Sequence, residues 1–282
     1  MSRRSSRSRT RRRNRGRFGP LFKLMCIIGV VVALTVGATV FFRVERISVS
    51  GGQRYTQEDI IAASGIQIGD NLYALNKVRI DRNIRTQLPY VGELSINRVL
   101  PSTIVIQVTE WEAVAQIAAP DPAQAAAAQE ELAGGDPDAE PAVLGQEPWL
   151  INARGKLLEP APEDSSAISV TGLTPVAPQA GSMLETPESE KTRLEALTAL
   201  LGALEQAELF SQVSSIHLEA TQLTVRYLER FDVKMRINAD FSYSLRLMQA
   251  VRKELEAQGN TEIRGSMDLT QKEQDAVFSP EK

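Results

Sequence analysis

The sequence contains one cysteine, Cys26, and one histidine, His217. A single cysteine excludes an intramolecular disulfide, so any folded part must be stabilised by packing. One cysteine and one histidine also cannot supply the ligands of a zinc site. We therefore expect neither a disulfide framework nor a metal centre.

Patterns that would indicate catalysis are missing as well. His217 lies on an alternating stretch between Ile216 and Leu218, which directs it away from the core, and no Ser, Cys or Asp pattern beside it supplies a nucleophile. The glycine-containing stretch 65–71 lacks the lysine and hydroxyl residue of a phosphate-binding loop. We predict no catalytic residue, no cofactor, no small-molecule substrate and no enzymatic activity.

Acidic residues are absent from residues 1–23, which contain ten Lys or Arg. The remaining 22 basic residues stand against 35 acidic ones, so the rest of the chain carries a net charge of −13. This charge argues against nucleic acid or anionic lipid as its partner and favours proteins. The basic tail is expected to be disordered and to orient the chain at a membrane, with an RNA-binding arm as the alternative.

Charged residues are also absent from residues 24–42, LMCIIGVVVALTVGATVFF. As a helix this run is about 28 Å long, enough to cross the hydrocarbon core of a bilayer. Ten basic residues precede it and only Arg43 and Arg46 follow closely, which predicts a cytoplasmic N-terminus. A cleaved signal peptide is the alternative, but the run ends in the bulky residues 40–42 instead of a small-residue cleavage site. We predict an uncleaved single-pass type II transmembrane helix.

Residues 43–117 have the pattern of a small α+β domain. Val44 to Val49 predict a first strand, Thr56 and Asn76 are predicted to cap two helices, and two more strands are predicted at 91–97 and 103–110. Gly65 and Pro89 are predicted to end the two helices. The predicted order is strand, helix, helix, strand, strand.

Four segments of this region carry a resemblance: VERISVSG, TQEDI, GIQIGDNLYAL and LPYVGELSINRVLPSTIVIQVTEWEAVA. They are similar to the membrane-proximal POTRA domain of the bacterial cell-division proteins FtsQ and DivIB. The most specific positions are Leu88, Pro89, Val91, Arg98, Pro101, Thr103 and Glu110, the last standing three residues before Ala113-Val114-Ala115. Trp111 and Ala113 replace the Arg and Pro that are usual in the family near Glu110. The resemblance implies a POTRA fold (βααββ) for residues 43–117.

Residues 118–146 consist mostly of Ala, Pro, Asp, Glu and Gln, and no basic residue occurs from 113 to 153. This composition predicts a flexible acidic linker. The acidic pairs at 130–131 and at 136 and 138 could in principle bind calcium, but they lack the spaced ligands of a dedicated loop.

Residues 147–270 are predicted to form a β-rich, mixed α/β C-terminal domain, followed by a tail at 271–282. Its opening strand at 149–151 and the turn from Asn152 to Gly155 resemble the second domain of FtsQ and DivIB. Thr186-Pro187 is predicted to start a helix that runs to about Glu208. Further predicted elements are strands at 213–218, 223–228 and 231–237, a helix from Asp240 to Gly259, and a last strand at 262–270.

The last predicted strand alternates in polarity, and no later strand is predicted to cover it, so we expect it at a sheet edge. An extended segment of a partner could pair with such an edge. The predicted partner-binding residues are Arg264, Ser266, Met267, Asp268, Leu269 and Phe278. The alternative is an interior strand, with Phe278 packed back on the core.

The residues by themselves predict a non-enzymatic bitopic interaction protein. The resemblance implies that it is a scaffold of the bacterial divisome that links early and late division proteins. It implies partners similar to FtsB (also named DivIC) and FtsL, and localisation in the cell membrane at the septum. A POTRA-bearing envelope transport or assembly factor is the alternative function, and an anchored envelope enzyme is disfavoured by the missing catalytic pattern.

Overall fold

The structure is a computed structural model that describes residues 18–134, 140–258, 263–271 and 277–280. Within these ranges the chain forms an N-terminal helix, a three-stranded sheet with two helices, and a nine-stranded sheet with further helices. Most of the predicted basic tail, residues 1–17, lies outside the described part.

Helix α1 spans Phe18–Phe41 and contains 24 residues. Every side chain from residue 21 to residue 37 is exposed. Among the described residues, no helix combines the length and the apolar character needed to cross a membrane. The side chains at 38–40, inside the predicted span 24–42, are not among those described. The transmembrane helix stays a prediction.

The first globular domain follows directly. Its strands and helices are β1 Arg46–Ser50, α2 Gln57–Ser64, α3 Lys77–Gln87, β2 Val91–Val99 and β3 Thr103–Glu110. The sheet order is β1-β3-β2, with β1 parallel and β2 antiparallel to the central strand β3. Apolar side chains from the strands and from both helices form one core. The predicted order of elements is confirmed.

Local hydrogen bonds explain where these helices begin. The Thr56 hydroxyl accepts from the Asp59 amide at 3.1 Å, and the Asp59 carboxylate accepts from the Thr56 amide at 3.1 Å, which forms a capping box. The Asn76 side chain accepts from the amides of Val78 and Arg79. Gly65 adopts φ +68° and ends α2. All three predicted signals act as expected.

The second sheet begins earlier than predicted. Strand β4, Ala115–Ile117, pairs antiparallel with β5, Trp149–Ile151, and parallel with β7, Ile168–Thr171. Ala115 and Ile117 are fully buried between these neighbours. The boundary predicted after residue 117 therefore differs from the structure, because alternation in β4 suits either sheet and only long-range pairing selects one.

The predicted linker contains an ordered helix. Helix α4, Pro122–Ala133, starts where the Asp121 carboxylate accepts from the Gln124 amide at 2.8 Å. Alanine has the highest helix propensity and proline suits the first helical position, so this composition favours a helix without a broad apolar face. The expectation of a flexible linker over 118–146 is therefore incorrect for residues 122–133, and residues 135–139 lie outside the described part.

Helix α4 is attached to the second domain by side chains. The Glu131 carboxylate accepts from the Ser189 amide and hydroxyl, at 3.1 and 2.5 Å. The Gln129 amide group exchanges two hydrogen bonds with the backbone of Ala142. These contacts hold the helix against residues that are distant in sequence.

The remaining elements complete the second domain. They are β6 Leu157–Pro160, α5 Lys191–Gln206, β8 Val213–Leu218, β9 Gln222–Tyr227, β10 Phe231–Arg236, α6 Phe241–Ala257, β11 Gly265–Asp268 and β12 Val277–Pro280. The sheet order is β12-β11-β10-β9-β8-β7-β4-β5-β6. Asp240 caps α6 by accepting from the Tyr243 amide at 3.0 Å.

The start of α5 differs from the prediction. Thr186 does not cap it, and its buried hydroxyl has no hydrogen-bond partner among the described residues. A 3-10 turn at 188–190 precedes the helix. The buried Glu190 carboxylate instead accepts from the Thr174 amide and hydroxyl, at 2.6 and 3.0 Å, and lies 3.3 Å from the Arg193 guanidinium. Contacts from a distant loop therefore replace the predicted local cap.

One face of the second sheet is apolar and the other is polar. Helices α5 and α6 contribute to the core on the apolar face, where Phe231, Val233 and Met235 of β10 are at most 1% exposed. His217 is exposed on the polar face, and its Nδ1 lies 2.8 Å from the Thr171 hydroxyl. The predicted outward direction of His217 is confirmed.

Polar contacts join the two domains. The Lys156 ammonium donates to the Pro89 carbonyl at 2.7 Å. The Glu159 carboxylate lies 2.7 Å from the Arg54 guanidinium and accepts from the Tyr90 hydroxyl at 2.6 Å. Burial lowers the pKa of Lys156 and raises the pKa of Tyr90. A small apolar cluster that includes Tyr90, Leu150 and Leu158 lies beside these contacts.

Candidate partner-binding edge

Strand β11 is not the edge that the sequence predicted. It pairs parallel with β10 on one side and antiparallel with β12 on the other. Residues 277–280, predicted to belong to the C-terminal tail, form β12 instead. A four-residue segment that ends in proline is a weak strand signal. Glu262, the predicted first residue of the strand, lies outside the described residues. The alternative of an interior strand is therefore correct for β11.

The structure distributes the predicted partner-binding residues over different environments. Met267 is fully buried, which excludes direct contact with a partner in this conformation. Arg264 is exposed, and the half-buried residues are Ser266, Asp268, Leu269 and Phe278. The six residues lie at one end of the sheet, but they do not form one surface.

Phe278 packs back on the sheet over a glycine. Its ring centre lies 6.2 Å from that of Phe231, with an interplanar angle of 73°. A Cβ atom at Gly265 would lie 2.8 Å from the Phe278 ring and 2.3 Å from the Ser279 carbonyl oxygen. Gly265 therefore makes room for β12. This role of Gly265 was not predicted, although a glycine inside an alternating strand is a known signal of close approach.

The backbone directions show which strand has a free edge. The amides of Gly265 and Leu269 donate to carbonyls of residues 230 and 234, so these positions of β11 face β10. Backbone groups alternate sides along a strand, and Ser266 and Asp268 therefore face β12.

The same alternation applies to β12. Ser279 is the register partner of Ser266, and Val277 is the register partner of Asp268. The backbone groups of Ser279 and Val277 therefore face β11. Phe278 and Pro280 consequently face outward. Since proline has no N–H, the outer side of β12 offers one donor, from Phe278, and two carbonyl acceptors.

The opposite edge of the nine-stranded sheet is partly covered. Leu157 of β6 donates to the Ser182 carbonyl at 2.9 Å and accepts from the Gly181 amide at 2.8 Å. Among the described residues, β12 has no strand beyond it. We therefore take the outer side of β12 as the candidate partner-binding edge.

Charged groups on the polar face lie near this edge. The Asp268 carboxylate accepts from the Thr270 hydroxyl at 2.6 Å and the Thr270 amide at 2.8 Å, and these bonds, with a smaller effect of Lys234, lower the pKa of Asp268. The Arg236 guanidinium donates to the Thr270 carbonyl at 2.7 Å. The carboxylate is thus kept ionised, and its two bonds to Thr270 fix the chain where β11 ends.

No metal site was found in the described part of the chain. There, no three His, Cys, Asp or Glu side chains are grouped so that they could hold a metal ion. The geometry of the candidate edge is that of a protein-binding surface, with backbone donors and acceptors beside mixed charges.

The family model that matches this chain covers the first domain. The family model described as "POTRA domain, FtsQ-type" matches residues 42–111, the range that contains β1, α2, α3, β2 and β3. This chain carries an FtsQ-type POTRA domain. The predicted resemblance to the FtsQ/DivIB family is confirmed by this match and by the relatives described next.

Three curated relatives illustrate the similarity. The chain is 36% identical over 92 residues to "Cell division protein FtsQ" of Corynebacterium glutamicum, covering 30% of this chain and 41% of the relative. It is 30% identical over 98 residues to the protein of that name from Streptomyces coelicolor, covering 32% and 37%. It is 32% identical over 74 residues to "Cell division protein DivIB" of Geobacillus kaustophilus, covering 26% and 28%. The match thus spans less than half the length of each relative.

The POTRA domain gives a physical role to Glu110, one of the residues that carried the resemblance. Its carboxylate accepts from the amides of Gln53, Arg54 and Tyr55, at 2.7, 2.9 and 3.2 Å. Burial opposes ionisation, but these bonds lower the pKa of Glu110 overall. The carboxylate therefore holds the turn between β1 and α2 against the end of β3.

Trp111 is one of the two positions at which the POTRA segment departs from the family pattern. Its amide donates to the Tyr90 carbonyl at 2.7 Å. The Arg154 guanidinium of the second domain lies 4.7 Å from the centre of the Trp111 ring. Trp111 therefore lies at the contact between the two domains.

Proposed function

We propose that this chain is a non-enzymatic, membrane-anchored scaffold of the bacterial division machinery. The single observation that carries the proposal is the FtsQ-type POTRA match over residues 42–111. Several relatives named FtsQ or DivIB, each a cell division protein by name, support it. In this proposal the chain links early and late division proteins at the septum through its extracytoplasmic domains.

The proposed anchor is the apolar run at 24–42, which coincides with most of helix α1. Ten basic residues before the run and two soon after it favour a cytoplasmic N-terminus. The POTRA domain and the second domain then lie outside the cytoplasm. Protease added to spheroplasts should digest both domains, and protection of both would contradict this orientation.

The proposed partner site is the outer side of β12. An extended segment of a partner similar to FtsB (DivIC) or FtsL could pair with the outward-facing backbone groups of Phe278 and Pro280. The added strand would lie about 10 Å from β11, so the long Arg264 side chain could contact it, whereas Ser266 and Asp268 would contribute only to the polar surface beside it. Met267 would support the site from the core, since it is fully buried.

Photo-crosslinking tests this edge directly. A photoreactive amino acid at Val277, which is 49% exposed, should crosslink a division protein in growing cells. The matched control is the same amino acid at Val143, which is 69% exposed in a different part of the second domain. Equal crosslinking from both positions, or none from position 277 in a folded protein, would contradict the proposed edge.

Localisation tests the function as a whole. A fluorescent fusion to the N-terminus should form a band at the division septum, and depletion of the protein should produce filaments. The alternative, a POTRA-bearing envelope transport or assembly factor, predicts fluorescence around the whole envelope and normal septation after depletion. That second pattern would refute the divisome proposal.

A further inference from the structure

The exposed apolar side chains of the POTRA domain have a common location. Within residues 43–111 the large apolar residues that are exposed are Ile68 (67%), Tyr73 (55%), Val78 (77%), Val99 (50%) and Leu100 (56%). The remaining large apolar residues of this range are buried or half-buried. Five exposed apolar side chains on a small domain are informative only if they are neighbours, so their positions matter.

Two of them lie at the end of the sheet where the chain arrives from α1. Strand β1 starts at Arg46, which is the register partner of Thr103, the first residue of β3. Val99 is the last residue of β2 and the register partner of Thr103, and Leu100 lies in the connection between β2 and β3. The Glu45 amide donates to the Ser102 carbonyl at 2.9 Å, so this connection contacts the segment between α1 and β1.

The loop between α2 and α3 lies at the same end. The Leu72 amide donates to the Phe42 carbonyl, and the Gly69 amide donates to the Val44 carbonyl, both at 2.8 Å. The Tyr73 ring centre is 5.1 Å from that of Phe42. Ile68 and Tyr73 therefore stand beside the residues that leave α1, and Val78 lies in the first turn of α3 immediately after this loop. We call the five apolar residues and their charged neighbours the anchor-side pole.

The anchor-side pole is connected to α1 without a spacer. Helix α1 ends at Phe41, and Val44, only three residues later, is fully buried in the core of the POTRA domain. A domain attached so closely cannot move far from the end of the helix. If α1 spans a membrane, the pole must lie at the membrane surface.

The charge of the anchor-side pole is opposite to that of the exported part as a whole. Its exposed cationic residues are Arg43, Arg46, Lys77 and Arg79. Its acids are Glu45, whose carboxylate accepts from the Ser102 hydroxyl at 2.8 Å, and the half-buried Asp70, whose carboxylate accepts from the Gln67 amide at 2.9 Å, so the four cations remain in excess. The net charge of −13 over the rest of the chain argued against anionic lipid, but it hides this local excess of positive charge.

We propose that the anchor-side pole binds the surface of the bilayer that α1 crosses. Ile68, Tyr73 and Leu100 enter the headgroup region, and the cationic side chains contact phosphates of anionic lipids. This inference rests on the proposed membrane anchor. Binding of the anchor-side pole would fix the orientation of the POTRA domain relative to the membrane. The opposite end of the domain, near Glu110, would lie about 25 Å farther from the membrane, the length of the eight-residue strand β3.

Fluorescence quenching in proteoliposomes tests the proposal on the full-length chain. In a Cys26→Ala background, an environment-sensitive dye is attached to Ile68→Cys, to Leu100→Cys or to the control Glu58→Cys. Glu58 is exposed near the opposite pole, at the start of α2. The vesicles consist of phosphatidylcholine and phosphatidylglycerol and contain lipids brominated near the headgroup. Quenching of the dye at positions 68 and 100 should be roughly twice the quenching at position 58, or more.

A paired substitution separates binding from mere proximity. Val99→Ser together with Leu100→Ser should reduce quenching of the dye at position 68, because it removes apolar contact with the bilayer. Val143→Ser, which removes a similarly exposed apolar side chain elsewhere, should not change it. Unchanged quenching in the paired variant would overturn the proposal, as would equal quenching at positions 68 and 58.

The native Cys26 distinguishes the failure of this inference from failure of the anchor. The dye attached there should be quenched by lipids brominated deep in the acyl chains if α1 spans the bilayer. Quenching at Cys26 without preferential quenching at 68 and 100 would refute the pole contact alone. Absence of quenching at Cys26 would refute the anchor and the pole contact together. Dye self-quenching at 68 without lipid quenching would identify a second copy as the occupant and refute the lipid contact.

Discussion

Replacing Gly265 by alanine tests whether β12 is held on the sheet by close packing. The new Cβ atom would lie 2.3 Å from the Ser279 carbonyl oxygen and 2.8 and 2.9 Å from two atoms of the Phe278 ring. Contacts this short do not occur in folded proteins, so β12 or β11 must shift. Strand β11 cannot give way easily, because it pairs with β10 on its other side and its Met267 side chain is fully buried in the core.

The substitution should therefore reduce mainly the local stability of β12, which has four residues and pairs only with β11 among the described strands. Adding one methyl group to a closely packed site typically costs about 2 kcal/mol. If this amount is lost from the local stability of β12, its opening becomes about 30-fold more frequent. Global stability should change little, since the rest of the core keeps its contacts.

Hydrogen exchange measures this difference at single amides. The Ser279 amide, which faces β11, should exchange about 30-fold faster in Gly265→Ala, whereas the Val233 amide in β10 should exchange as in the original protein. Ser266→Ala is the matched control, because residue 266 is the next position and its side chain lies on the polar face. Phe278→Leu added to Gly265→Ala should recover part of the protection.

Two results would refute the reasoning. If exchange at Ser279 is unchanged, the close approach of β12 to Gly265 is wrong. If exchange at Val233 rises as much as exchange at Ser279, the substitution unfolds the whole domain and β12 is not a separately opening unit.

Three further substitutions test other parts of the structure. Val91→Asp places a charge at a fully buried position and should destabilise the POTRA domain by about 4 kcal/mol. The control Glu93→Asp changes an exposed residue and should not destabilise the domain. Equal melting temperatures of the two variants would contradict the register of β2. Glu110→Gln should cost about 1 kcal/mol at neutral pH, allowing for solvent screening. The folded-state pKa of Glu110 is lowered, so the stability that its carboxylate contributes is complete above the unfolded-state pKa of about 4.3 and is lost as pH falls through the folded-state pKa. The free energy of unfolding measured in urea should therefore depend less on pH between 3 and 6 in the variant. Parallel plots of this free energy against pH for the two proteins would contradict the role of Glu110. Glu190→Ala leaves the Arg193 charge without its partner and should lower the stability of the second domain by about 3 kcal/mol, and a thermal melt unchanged by the substitution would show that the contact with Thr174 is not structural.

Local hydrogen bonds explain why parts of the fold were predictable. The capping box of Thr56 and Asp59, the Asn76 cap and the Asp240 cap each join residues at most three positions apart. Strands β9 and β10, and β8 from Ile216 onward, alternate between buried and outward-facing side chains, and this alternation is visible in the sequence without knowledge of the neighbouring strands. The direction of His217 followed from the same alternation.

The candidate edge was predicted less well. Its location at the C-terminal end of the sheet agrees with the structure, but the strand at the edge is β12 instead of β11. The pairing of β12 with β11 and the packing of the Phe278 ring over Gly265 depend on residues that come into contact only in the folded chain. Burial of Met267 follows from the same packing.

The sequence by itself determined the order of elements in the POTRA domain, the starts of three helices and the two faces of the second sheet, because each depends on residues within a few positions of one another. Tertiary structure decided which sheet β4 joins, where α4 docks through Glu131 and Ser189, and which strand remains free at the edge. These outcomes depend on backbone groups and side chains that are distant in sequence, 58 residues apart for Glu131 and Ser189. A strand carries no local mark of its neighbour, since any alternating segment of the right length can satisfy the same backbone hydrogen bonds.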